Sequence, residues 1–155
     1  MDYTNRKDEA FYINTNVTYT FTGSAVTGTY GTATAKRLND ENAVDEDGNN
    51  LLDADGNQVI SYGLKTQYKN KFNTEAAGLL AKTDWYVIKA ADVTDYNVPS
   101  NVATYRAAVR TKVNAMETSI DNCSDVDALI TLLTYTTDSE GVTSRPLGEF
   151  PDEVV

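Results

Sequence analysis

Two hydrophobic patterns divide the chain. Between Phe11 and Leu38 the sequence is rich in Thr, Tyr, Val and Gly, and Val17, Tyr19 and Phe21 alternate with Thr18, Thr20 and Thr22. A period of two with β-branched and aromatic residues predicts a half-buried strand. Gly23-Ser24 predicts a turn. Val26–Tyr30 and Thr32–Ala35 predict further short strands, interrupted at Gly28 and Gly31. Residues 44–59 then repeat with a period of 8, as Val-Asp-Glu-Asp-Gly-Asn-Asn-Leu and Leu-Asp-Ala-Asp-Gly-Asn-Gln-Val. Each unit sets Asp-Gly between apolar residues. A tight hairpin turn needs positive φ at its central positions, which Asp-Gly tolerates. The repeat therefore predicts a small three-stranded meander.

From residue 64 onward the period lengthens. Asn73 or Thr74 is placed to cap a short helix carrying Glu75, Ala76, Ala77, Leu79 and Leu80, weakened at Gly78 by about 1 kcal/mol relative to Ala. Trp85, Tyr86, Val87 and Ile88 form an apolar block, read as a buried strand or an irregular core segment with Trp85 as its anchor. After Pro99, with Ser100 or Asn101 as N-cap, apolar residues fall at 102, 105, 109, 113, 116 and 120. Spacings of three and four draw one continuous helical stripe, with Tyr105 and Val109 as core anchors. Ser124 and Asp127 suggest a cap for a second helix carrying Val126, Leu129, Ile130, Leu132 and Leu133. The short link between these helices predicts an antiparallel hairpin.

The expected fold is α+β: a small antiparallel β-rich part over residues 1–63, a helical part over 64–137, and an extended tail over 138–155 anchored at Phe150-Pro151.

Composition narrows the chemistry. There is no His among 155 residues, so the usual neutral-pH base, any Ser-His-Asp set and the commonest metal ligand are missing. The single Cys123, beside Asp121 and Asp125, reads as a small buried hydrophobe. No phosphate-binding Gly-rich motif occurs. Seven carboxylates and no Lys or Arg lie between Asp40 and Asn57. A calcium loop fails in both registers: starting at Asp45 puts Asn50 and Gly56 at its sixth and twelfth positions, and starting at Asp53 puts Gln58 and Leu64 there. The expectation is no enzyme, cofactor or metal centre, with plain hairpin turns between Asp45 and Asp55 and a weak, irregular cation site there as the alternative.

Net charge is −10, which argues against nucleic acid and anionic membranes as partners. Residues 1–63 carry net −6, residues 64–121 net +2 and residues 122–155 net −6. No apolar run approaches a membrane span, and no signal-peptide core precedes the Thr-rich region, so a soluble protein made in the cytoplasm is expected.

One combination of motifs carries a resemblance. Leu79, Leu80, Thr83, Asp84 and Trp85 are followed by Pro99, Tyr105, Arg106 and Arg110, then by Phe150 and Pro151. Over roughly the second half of the chain this resembles the bacteriophage tail assembly chaperone domain. The Thr-rich region and the Asp-Gly repeat have no counterpart there. The resemblance implies a non-enzymatic protein of a phage tail, fibre or baseplate, made in the host cytoplasm and carried in the virion. It docks on other tail proteins or on further copies of itself, or else acts as a transient assembly chaperone. Val17, Tyr19, Phe21, Arg106, Arg110, Phe150 and Pro151 are the interface candidates. Asp84 is expected to cap or turn the chain, or to form a structural ion pair with Arg106 or Arg110.

Overall fold

A computed structural model describes residues 2–154. The fold is α+β, with most of its short strands before residue 64, four helices from Leu64 to Leu133 and a last strand pair after them. The chain divides into two compact units between Leu64 and Lys65.

The first unit is built from three small β elements. Strands β1 (Asp2–Thr4), β3 (Thr18–Phe21) and β4 (Val26–Thr29) make a sheet in the order β1-β4-β3. Strands β3 and β4 pair antiparallel across a turn at Gly23, φ +80°, while β1 joins β4 in parallel. Strands β2 (Tyr12–Ile13) and β5 (Thr34–Ala35) form a second antiparallel pair. Strands β6 (Glu41–Asn42) and β7 (Ile60–Ser61) form a third, at the base of the Asp-Gly repeat.

Gly28 does not break its strand. It lies at the centre of the sheet, in register with Tyr3 on one side and Tyr19 on the other. A Cβ there would come within 2.9 Å of the Tyr3 ring and 3.2 Å of the Tyr19 ring. The missing side chain is what lets the two rings close over the strand.

The second unit holds α1 (Leu64–Ala81), α2 (Asp84–Asp92), α3 (Ser100–Asp121) and α4 (Val126–Leu133), then the hairpin β8 (Thr136–Thr137) and β9 (Thr143–Ser144). The stripe at 102, 105, 109, 113, 116 and 120 is buried along its whole length. Phe72 and Ala76 of α1, Val126 and Leu129 of α4, and Leu147 are buried as well. Burial of this kind contributes about 1.5–3 kcal/mol for each large apolar side chain.

Several local expectations are corrected. Helix α1 starts at Leu64 rather than at a cap near Asn73. Thr74 lies inside it, and its hydroxyl donates to Asn70 O one turn back. Neither Ser100 nor Asn101 caps α3: Pro99 occupies the N-cap position and fixes the entry through its extended backbone. Helix α4 is capped by Asp125, not Ser124, with Asp125 Oδ1 accepting from Ala128 N at 2.8 Å. Residues after 137 are not an extended tail throughout. They fold into the β8–β9 hairpin, and Leu147 N donates to Leu132 O.

Candidate docking surfaces

Thr83 and Asp84 of the first motif and Arg106 of the second meet at the link between α1 and α2. Arg106 projects from the middle of α3 and is 8% exposed. Its Nη1 donates to Leu80 O at 2.8 Å and to Thr83 Oγ1 at 2.7 Å, and its Nη2 lies 2.8 Å from Asp84 Oδ1. Thr83 Oγ1 in turn donates to Leu80 O at 3.0 Å. Leu80 O belongs to the last turn of α1, where carbonyls lack intrahelical partners, and Asp84 opens α2, where a carboxylate is favoured. One guanidinium therefore holds the end of one helix against the start of the next. Only a planar fork of donors does this. Arg106 is thus a structural residue, and its expected place among the interface residues is corrected. Arg110 is exposed, with one long 3.5 Å contact from Nη1 to Arg106 O.

Trp85 is the second correction. The apolar block it leads is helical, and α2 buries none of its residues. Trp85 is 50% exposed and Ile88 67%, with Val87 and Val93 also outward. The Trp85 ring rests on Tyr86 at 4.0 Å between centroids and lies under Lys89 Nζ at 5.5 Å. An apolar run four residues long is too short for periodicity to tell strand from helix, or core from surface. Tyr105 and Val109, by contrast, are buried. Tyr105 Oη has no hydrogen-bond partner among the described residues, and burial pushes its pKa up. Cys123 is buried, and its thiol is likewise pushed up by burial.

Phe150 and Pro151 are half-buried. Pro151, Asp152 and Val154 border an open groove of about 430 Å³ with Ser100, Asn101, Thr104, Tyr105 and Ala108 at the start of α3.

In the first unit the alternation is present, but the face expected to be half-buried is open. Register puts Tyr3, Tyr19, Phe21, Val26 and Gly28 on one face of the sheet and Thr4, Thr18, Thr20, Thr27 and Thr29 on the other. Tyr19 is 55% exposed and Phe21 69%; Val17, just before β3, is half-buried. The neighbouring Tyr3 is the first cause raising the Tyr19 pKa. Strand β3 is also an edge of its sheet.

The Asp-Gly repeat forms a closed ring rather than an open meander. Leu51 N donates to Ala43 O, Val59 N to Leu51 O, and Ala43 N back to Val59 O, each at 2.8 Å. Three legs eight residues apart thus pair pairwise. The third leg, Gln58-Val59-Ile60, follows Asn42-Ala43-Val44 and Asn50-Leu51-Leu52 in its amide-apolar-apolar pattern. That third copy is the signal that closes the ring, and a two-unit reading of the repeat overlooks it. Gln58 Nε2 ties the centre, donating to Ala43 O at 2.9 Å and Val59 O at 2.8 Å.

The turns between the legs are twins. Asp45 Oδ1 accepts from Asp47 N and Asn49 N, and Asp53 Oδ1 from Asp55 N and Asn57 N, all within 2.8–3.0 Å. These bonds, led by those from Asn49 and Asn57, lower both carboxyl pKa values. Only Gly48 and Gly56 take positive φ, near +82°, so each turn is a longer loop ending in a left-handed glycine, not a two-residue hairpin turn. Asp138 and Gly141 build the same turn between β8 and β9. Among the described residues no group of three or more His, Cys, Asp or Glu is placed to hold a metal ion, and no helix is long and apolar enough to cross a membrane.

Comparison with protein-family models, curated proteins and solved structures finds no match for this chain.

Proposed function

We propose that this chain is a non-enzymatic docking protein of a bacteriophage tail, fibre or baseplate, carried in the virion. The observation that carries the docking role is α2, a helix that buries none of its residues and leaves Trp85, Val87 and Ile88 exposed. Trp85 and Ile88, three residues apart and so on one side of the helix, are an anchor of the kind that fills a pocket on another protein. The exposed Tyr19 and Phe21 on the edge strand β3 add a second such surface, suited to strand pairing. The tail context rests on the sequence resemblance carried by Thr83, Asp84, Trp85, Tyr105, Arg106 and Arg110.

The test is mass spectrometry of purified virions of the phage that encodes the chain, alongside the same measurement on infected cells. A structural role puts the protein in the particle at reproducible copy number. Presence in infected cells but not in virions would reject that role and support a transient assembly chaperone. Trp85→Ser is the companion variant. Because Trp85 is half-exposed, folding should persist while incorporation falls.

A further inference from the structure

The three-legged ring of residues 41–61 presents two faces, and its pairing register sorts them. Val44 pairs with Asn50, Leu52 with Gln58 and Ile60 with Asn42. Directly opposed residues share a face, and so do residues two apart on one strand. Asn42, Val44, Asn50, Leu52, Gln58 and Ile60 therefore lie on one side, and Ala43, Leu51 and Val59 on the other. Val44, Leu52 and Ile60 are 51%, 60% and 40% exposed. Across the strand from Val44, Leu52 and Ile60 stand Asn50, Gln58 and Asn42, and Gln58 turns its amide inward onto the Ala43 and Val59 carbonyls. The two turns that leave Val44 and Leu52 carry Asp45, Glu46, Asp47, Asp53 and Asp55. From residue 38 to residue 64 there is no Lys or Arg to offset them.

We propose that the Val44/Leu52/Ile60 face docks a partner protein whose contact surface has an apolar centre and a rim of Lys and Arg. This rests on the docking role above and names the partner's chemistry. Charge complementarity selects that occupant. A second copy of this face would bring five carboxylates against five, which costs affinity and slows encounter. A basic rim gains from them, and the apolar trio supplies the desolvated centre that binding energy depends on. Asp45 and Asp53 keep their charge below the usual carboxylate range because the turn amides donate to them.

The test uses the full chain and two immobilised probes: an amphipathic Leu–Lys helical peptide and its Leu–Glu counterpart. The Leu–Lys peptide should bind and the Leu–Glu peptide should not. Leu52→Ser should weaken binding about tenfold, the loss expected for removing one buried Leu contact. Leu51→Ser, on the opposite face, should leave it unchanged. Combined E46Q, D47N and D55N, which spare the turn-forming Asp45 and Asp53, should weaken binding and flatten its salt dependence. Equal effects of Leu52→Ser and Leu51→Ser, or no binding of the Leu–Lys peptide, would overturn the proposal. These outcomes are independent of where the protein lies in infected cells, so each reading fails separately.

Discussion

At the scale of single residues, Arg106 has the most to lose. It is buried, and three acceptors, one each from α1, the link and α2, converge on its guanidinium. Arg106→Ala leaves Thr83 Oγ1 without its donor and Asp84 without its partner, and leaves Leu80 O only the bonds from Thr83. The expected cost is about 2–4 kcal/mol. Arg106→Lys should recover little of it, because an ammonium cannot reach three acceptors set in a fork. Urea unfolding of the two variants checks this; wild-type stability in Arg106→Ala would rule out the junction as a structural device. The tie between Asp84 and an arginine was legible in the sequence, but the choice of Arg106 was not. Arg106 and Arg110 are four residues apart on one helix, and only the path of the α1–α2 link decides which is enclosed. Trp85 was misleading for the same reason: its size argues for burial, yet the link carries it outward.

At the scale of elements, legibility followed the length of the periodic signal. The stripe of α3 runs over about five turns, so its buried positions could be read one by one. The repeat at residues 44–59 gave the place of its turns but neither their type nor its closure, because pairing between the first and third legs is non-local. Two glycines show how element context sets the sign of one substitution. Gly78 lies in α1 with open space where a Cβ would stand and no positive φ. Gly78→Ala should therefore stabilise by about 1 kcal/mol. Gly56 has equally open space but φ +83°. Gly56→Ala should destabilise its turn by about 1–2 kcal/mol, the cost of a left-handed conformation for an L-residue. Thermal unfolding measures the first, and loss of the Val59 N–Leu51 O bond in amide exchange measures the second. Both substitutions shifting stability in the same direction would contradict this account.

At the scale of the whole molecule, the two units differ in how much they bury. Among the described residues before 65, the buried large apolar side chains are Phe11 and Leu64. The helical unit buries Phe72, Val102, Tyr105, Val109, Val113, Met116, Ile120, Val126, Leu129 and Leu147. Strands of two to four residues with solvent on both faces gain little from burial to offset the entropy of ordering them. Local opening should therefore be graded along the chain. Amides of β3 and β4 should exchange through openings well below the global unfolding free energy. Those of Val109, Val113 and Met116 in α3 should exchange only on global unfolding. Native-state hydrogen exchange at increasing sub-denaturing urea separates the two classes, since only the second should track the unfolding slope. A partner that covers the Tyr19 and Phe21 face binds the folded sheet and not its opened form, so its addition should slow exchange in β3 and β4. Protection of β3 equal to that of α3 in the free chain would mean that the sheet is already complete, leaving a partner nothing to stabilise there.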